Sequence, residues 1–103
     1  MAVAIEDAST RHLIRLHEIE TECFEKEAFT RQEIAYLLTD YNSVGLVAKI
    51  NGTIIGFIIG RMYAAKKSLI GHILTIDVSP AHRRKGIAQR LLQGIEKIFK
   101  EKG

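Results

Sequence analysis

Two hydrophobic periods divide the chain. Near its start and again at its end, apolar residues return every three or four positions, as on an amphipathic helix; in the middle they alternate, as in strands. Leu13, Leu16, His17 and Glu20 fall along adjoining turns, with Ile14 and Ile19 close enough to widen the apolar face. Ser9 or Thr10 can cap this helix, which is expected to end around Cys23-Phe24. Thr30-Arg31-Gln32-Glu33 is a capping box, and it opens a second helix with Ile34, Leu37 and Leu38 as its buried stripe. Ahead of both, Val3 to Ile5 reads as a short strand cut off by Glu6-Asp7.

From Val44 the period becomes two. Val44 to Ile50 predicts a strand, Asn51-Gly52 a hairpin turn, and Thr53 to Met62 the returning partner. Gly56 and Gly60 in that partner mark a bulge or a close backbone approach. Ala64 to Lys67 reads as a loop and Leu69 to Val78 as the next antiparallel strand, which the only proline, Pro80, brings to a stop. Ile87, Leu91, Ile95 and Phe99 then recur every four residues along a last helix. The order is β-α-α-β-β-β-α. It predicts an α/β (α+β) fold, a mixed, mainly antiparallel sheet flanked by helices, forming one domain over residues 1–103 without repeat, low-complexity tract or linker.

Composition fits such a domain. With 103 residues, 47% of them apolar and 26% charged, the chain is ordinary for a globular protein. Its formal charge of +3 gathers at Arg83 to Lys85 and at the C-terminal end, which suits a small polyanionic ligand. Nucleic acid is the weaker fit, because no aromatic residues interleave with the basic cluster. A single cysteine, Cys23, allows neither an internal disulfide nor a cysteine metal cluster, and nothing in the sequence activates it as a nucleophile. His12 and His17 are five apart and share no helix face, so no metal site is expected. Glu6 and Asp7 interrupt any signal peptide, and the apolar run from Thr53 to Ile59 is too short to cross a bilayer. The expectation is a cytoplasmic protein with no membrane partner.

Candidate chemistry concentrates between Leu74 and Ile95. A strand, the basic turn Arg83-Arg84-Lys85-Gly86 and a helix start follow one another. The first N–H groups of a helix lack partners and carry the positive end of its dipole. Gly86 would let a ligand approach the backbone, and three cations precede it, as a diphosphate would require. On residue chemistry alone a solvated basic turn before an ordinary surface helix remains the other reading.

Arg83-Arg84-Lys85-Gly86-Ile87-Ala88 fits the pattern R/Q-x-x-G-x-G/A. Set between a strand and a helix, it resembles the acetyl-CoA signature of the GNAT superfamily of N-acetyltransferases. Gly71-His72-Ile73 and Glu22-Cys23-Phe24 resemble the branch that acetylates protein N-termini, ribosomal-protein-alanine acetyltransferases among them. The resemblance implies acetyl-CoA as co-substrate and a protein or peptide α-amine, such as that of a ribosomal protein, as acceptor. It implies that Ile76, Asp77 and Val78 receive the acetyl and pantetheine portion through their backbone, with the Val78 N–H as oxyanion donor. Arg84, Lys85, Gly86, Ile87, Ala88 and Gln89 would hold the pyrophosphate, Arg83 and Lys85 adding charge. Phe24 and Phe29 would touch the acceptor, although read as residues they equally form a hydrophobic staple for the second helix. His72 is the candidate catalytic base, acting through water; its alternation with Ile70, Leu74 and Ile76 also suits a partly buried structural histidine.

The chain departs from the family pattern after Lys102-Gly103, where relatives add a strand, a helix and a hairpin. Their proton-donating tyrosine lies in that helix, whereas Tyr36, Tyr41 and Tyr63 all precede the motif. Two expectations follow. One is an alternative role as a non-catalytic CoA-binding or dimeric assembly module. The other is a homodimer covering the open edge of the Leu69–Val78 strand.

Overall fold

The structure, a computed structural model, describes residues 2–103. Strands β1 (Ala4–Asp7), β2 (Ser43–Ile50), β3 (Thr53–Ala65) and β4 (Ser68–Val78) form one sheet in the order β1-β2-β3-β4, every pairing antiparallel. Helices α1 (Leu13–Phe24) and α2 (Arg31–Thr39) cover one side, and α3 (Ile87–Lys102) covers the other. The predicted element order and the antiparallel sheet are both present.

Local rules account for most boundaries. Glu33 N–H donates to Thr30 Oγ1 at 3.1 Å while Thr30 N–H donates to Glu33 Oε1 at 2.9 Å, so the capping box at the start of α2 is complete. Asn51 and Gly52 both take positive φ, as the two-residue β2–β3 turn demands. Register breaks occur opposite both singled-out glycines, between Ala48 and Lys49 on β2 beside Gly56 and between Ile59 and Gly60 against β4.

Several sequence expectations need correction. β1 continues through Glu6 and Asp7, which pair with Val47 and Leu46; an edge strand tolerates them because their side chains stay exposed. Ile14 is 65% exposed and widens no core face. Ala64 and Ala65 belong to β3 rather than to a loop, and the turn shrinks to Lys66-Lys67, with Lys66 in the left-handed region at φ 50°. α1 starts at Leu13 with His12 at its N-cap, so neither predicted cap, Ser9 or Thr10, caps it directly; Ser9 instead opens the 3₁₀ turn Thr10–His12 that leads into it.

A packed cluster lies on each side of the sheet. Under α1 and α2 it contains Leu16, Ile19, Ile34, Leu37, Val47 and Phe57. Under α3 it contains Leu46, Ile55, Ile58, Ile87, Leu91 and Ile95. Phe99 packs against β3 and β4, a position open only because residues 60 and 71 are glycines; a Cβ at either would overlap its ring. Among the described residues no helix is long and apolar enough to cross a membrane.

Candidate active site

β4 ends at Val78, and the chain makes a 3₁₀ turn at Pro80–His82 before the basic segment. Two residues of that segment are left-handed, Arg84 at φ 65° and Gly86 at φ 76°. Gly86 is the N-cap of α3 and supplies no side chain, so no side-chain acceptor covers the amides of Ile87, Ala88 and Gln89; the first helical bond runs from the Arg90 N–H to the Gly86 carbonyl at 3.1 Å. A Cβ on Gly86 would meet nothing within 4 Å, which leaves the approach to these amides clear. This is a helix start able to receive an anion on its backbone.

Beside it lies a cleft of about 440 Å³. Of the residues singled out in sequence, Ile76, Val78, Arg83, Arg84, Gly86, Ile87, Ala88, Gln89 and Phe24 line it. Lys85 is exposed nearby without lining it, and the Asp77 side chain is directed to the opposite side of β4. Phe29 lines a separate cavity of about 310 Å³ with Thr30, Tyr36 and Leu37, so the two phenylalanines do not share one pocket.

Arg83 braces the cleft. Its Nε donates to the Val78 carbonyl at 3.1 Å and its Nη2 to Cys23 Sγ at 3.3 Å, joining the end of α1 to the end of β4. Cys23 thereby becomes part of the cleft wall; burial is the main cause that pushes its thiol up from the usual range, which keeps it protonated and unreactive. His82 also lines the cleft, and its Nδ1 is buried without a hydrogen-bond partner. Sequence spacing gave no reason to bring Cys23 here, since it reaches the site from α1, whereas His82 adjoins Arg83 in the basic turn.

His72 is not brought to this cleft. It pairs across the sheet with Arg61, is exposed, and has its ring 6.3 Å from that of Tyr63. Six residues of strand separate it from Val78, roughly 20 Å at the usual rise. The expected alternation fails at Leu74. Thr75 pairs with Ile59 and Ile73 with Gly60, leaving Leu74 as the extra residue of a bulge. Leu74 and Thr75 therefore both face α1, while Ile73, Ile76 and Val78 face α3.

The bulge also assembles a polar group that the sequence did not announce. Thr75 Oγ1 lies 2.8 Å from Glu20 Oε1 and 2.6 Å from Asp77 Oδ1. Glu20 is 2% exposed and Asp77 1%. The Phe29 N–H donates to Glu20 Oε2 at 3.0 Å. Burial first, and then the neighbouring Glu20, push the Asp77 carboxyl up to about 8.

A two-sided antiparallel sheet with an anion-ready helix start after its fourth strand defines an α/β domain with a candidate site for a phosphate-bearing ligand. Residues 13–103 match the acetyltransferase (GNAT) family, and the chain belongs to that family of acetyl-CoA-dependent transferases. No curated protein matches it. Among solved structures it is similar to an acetyltransferase from Vibrio fischeri, with 25% identity, TM-score 0.80, and 97% of this chain covering 88% of that one. It is similar also to a ribosomal-protein-alanine N-acetyltransferase from Brucella melitensis, with 23% identity, TM-score 0.81 and 97% of this chain over 73% of that one. An aminoglycoside acetyltransferase from an uncultured soil sample, in complex with sisomicin, gives 23% identity, TM-score 0.83, and 98% over 72%.

Proposed function

We propose that this chain transfers the acetyl group of acetyl-CoA to the α-amine of a protein or peptide N-terminus. The observation that carries the reading is the helix start at Gly86, whose open amides adjoin a cleft lined by Arg83 and Arg84. Acetyl-CoA would place its phosphates at these amides, with Arg84 adding charge, and would supply the thioester that the amine attacks. The residues present fit that group, because the approach to Gly86 is clear and the cleft continues along Ile76 and Val78. For the acceptor, the support is Phe24 at the cleft, the Glu22-Cys23-Phe24 and Gly71-His72-Ile73 segments, and the likeness to a ribosomal-protein-alanine enzyme. The aminoglycoside enzyme of the same fold defines the competing acceptor class.

Calorimetric titration with acetyl-CoA tests the first half. Binding by the parent and its loss in an Arg84→Glu, Gly86→Glu variant of unchanged far-UV spectrum is the expected outcome. Acetylation of an alanine-led peptide in preference to an aminoglycoside tests the second. Binding without transfer to either acceptor would favour the CoA-binding module instead.

A second copy of this chain is the partner we assign to β4, an edge strand whose Leu69 and Ile70 are exposed. Light scattering at increasing concentration should report a dimer; a monomer throughout would reject it.

A further inference from the structure

We propose that Glu20, Thr75 and Asp77 hold a single proton between two carboxyl groups, and that this proton latches the Phe24–Phe29 segment to the strand that ends in the cleft. A hydroxyl has one proton to give. Thr75 Oγ1 stands within hydrogen-bond distance of two carboxyl oxygens, at 2.8 and 2.6 Å, so it satisfies both only if one of them is itself a donor. Glu20 accepts the Phe29 N–H on its other oxygen, so as the carboxylate of the pair it has a donor for each oxygen. Asp77 Oδ2 is buried without any partner. An ionised carboxyl with one orphaned oxygen is costly there, whereas a neutral acid leaves only a carbonyl unpaired. The chain of donors therefore runs from Asp77 O–H to Thr75 Oγ1, from Thr75 O–H to Glu20 Oε1, and from Phe29 N–H to Glu20 Oε2.

The groups facing Asp77 agree with this assignment. α1 presents Glu20 and the Cys23 thiol, β3 presents the uncharged Phe57, and the turn after β4 presents Arg83. The Thr75 hydroxyl and Arg83 favour the ionised acid, and the Arg83 Nε and Nη2 donors lie on the Val78 carbonyl and Cys23 Sγ instead of on Asp77. Burial and the neighbouring Glu20 outweigh them, and the carboxyl is raised.

What the chain of bonds secures is a strained segment. Glu25 follows α1 in the left-handed region at φ 49°, which a non-glycine residue holds only when its surroundings fix it. Four residues later the Phe29 amide is fixed by Glu20. Between these points the segment separates Phe24 in the cleft from Phe29 in the neighbouring cavity. Deprotonation would put two buried anions against one hydroxyl proton, and the Phe29 anchor on Glu20 would loosen.

The inference takes the cleft's role from the function proposed above, yet its test needs no acetyl-CoA and no turnover. In the free protein near neutral pH, infrared difference spectra between wild type and Asp77→Asn should show the carbonyl stretch of a protonated carboxylic acid, present only in wild type. Asparagine can still donate to Thr75, so the fold is expected to persist. Hydrogen exchange at the Phe29 amide gives the second readout. Its protection factor should fall about tenfold in wild type between about pH 6 and about pH 9, remain constant in Asp77→Asn, and be low at both in Thr75→Val. Absence of the acid band in wild type would overturn the shared proton. Protection that ignores both pH and Thr75→Val would overturn the latch. Either result leaves a positive acetyl-CoA titration standing, so failure here and failure of the functional reading are distinguishable.

Discussion

Consecutive residues of β4 look into two different environments. Ile76 and Val78 join the apolar cluster beneath α3, where every fully buried side chain is a hydrocarbon. Thr75 and Asp77 turn the other way and meet Glu20 of α1 in the interior. The α3 side does its chemistry with backbone: once Ile87, Leu91 and Ile95 seat the helix, its unpartnered amides and dipole lie where an anion can reach them. No buried charge is needed for that. The α1 side uses side chains, and its buried carboxyls need a proton to be tolerated. Packing sets the first side and protonation the second.

The strongest way to break this contrast is Leu91→Ala. Leu91 is fully buried one turn into α3, and truncation should cost about 2–5 kcal/mol in urea unfolding. Because the same helix positions the amides at Gly86, acetyl-CoA affinity should fall with stability. A variant that loses stability while binding acetyl-CoA undiminished would separate the packing from the site.

Glu20→Ala probes the other side with a smaller expected loss, about 1–3 kcal/mol, since the Phe29 N–H loses its acceptor while Asp77 no longer faces a second carboxyl. The pH dependence should distinguish the two sides more cleanly. Asp77 is raised from 3.8 to about 8, so between those values the folded chain holds a proton that the unfolded chain has released. Unfolding free energy should therefore fall as pH rises from about 4 to about 8, and flatten above. His12 works in the opposite direction. Burial first, then Arg11, lower it from 6.5, so its contribution is lost as pH drops below that value. Asp77→Asn should remove the fall between about pH 4 and about pH 8 and leave the loss toward acid that His12 causes, as measured by thermal midpoints across the range.

How far each side could be read in advance follows the same division. The α3 side was legible because it depends on local chemistry. The four-residue spacing from Ile87 to Phe99, the cations before Gly86 and the missing cap side chain all lie within one stretch. The α1 side was not, because it depends on one unpaired residue. Strict alternation puts His72 with Leu74 and Ile76 on one face; the bulge at Leu74 separates them and turns Thr75 toward Glu20, 55 residues away. No sequence spacing announces a pairing at that distance. The Cys23–Arg83 contact was hidden for the same reason, while the overextended loop at Ala64-Ala65 reflects only the weak strand signal of alanine.

The smallest expected effect sharpens the comparison by giving it an exposed control. Lys49 Nζ lies 3.1 Å from Glu6 Oε1 across β1 and β2, on the same sheet as the buried acids but at its solvent margin. The glutamate side chain is 45% exposed and the lysine 19%, so water screens much of the attraction. Lys49→Ala should cost about 0.2–1 kcal/mol, and that cost should shrink when salt is raised to about 1 M. The effect of Asp77→Asn should be nearly indifferent to the same salt, because no ions penetrate between Glu20 and Asp77. Equal salt sensitivity at both places would mean that the acid pair is wetted, and with it the difference between the two sides of β4 would disappear.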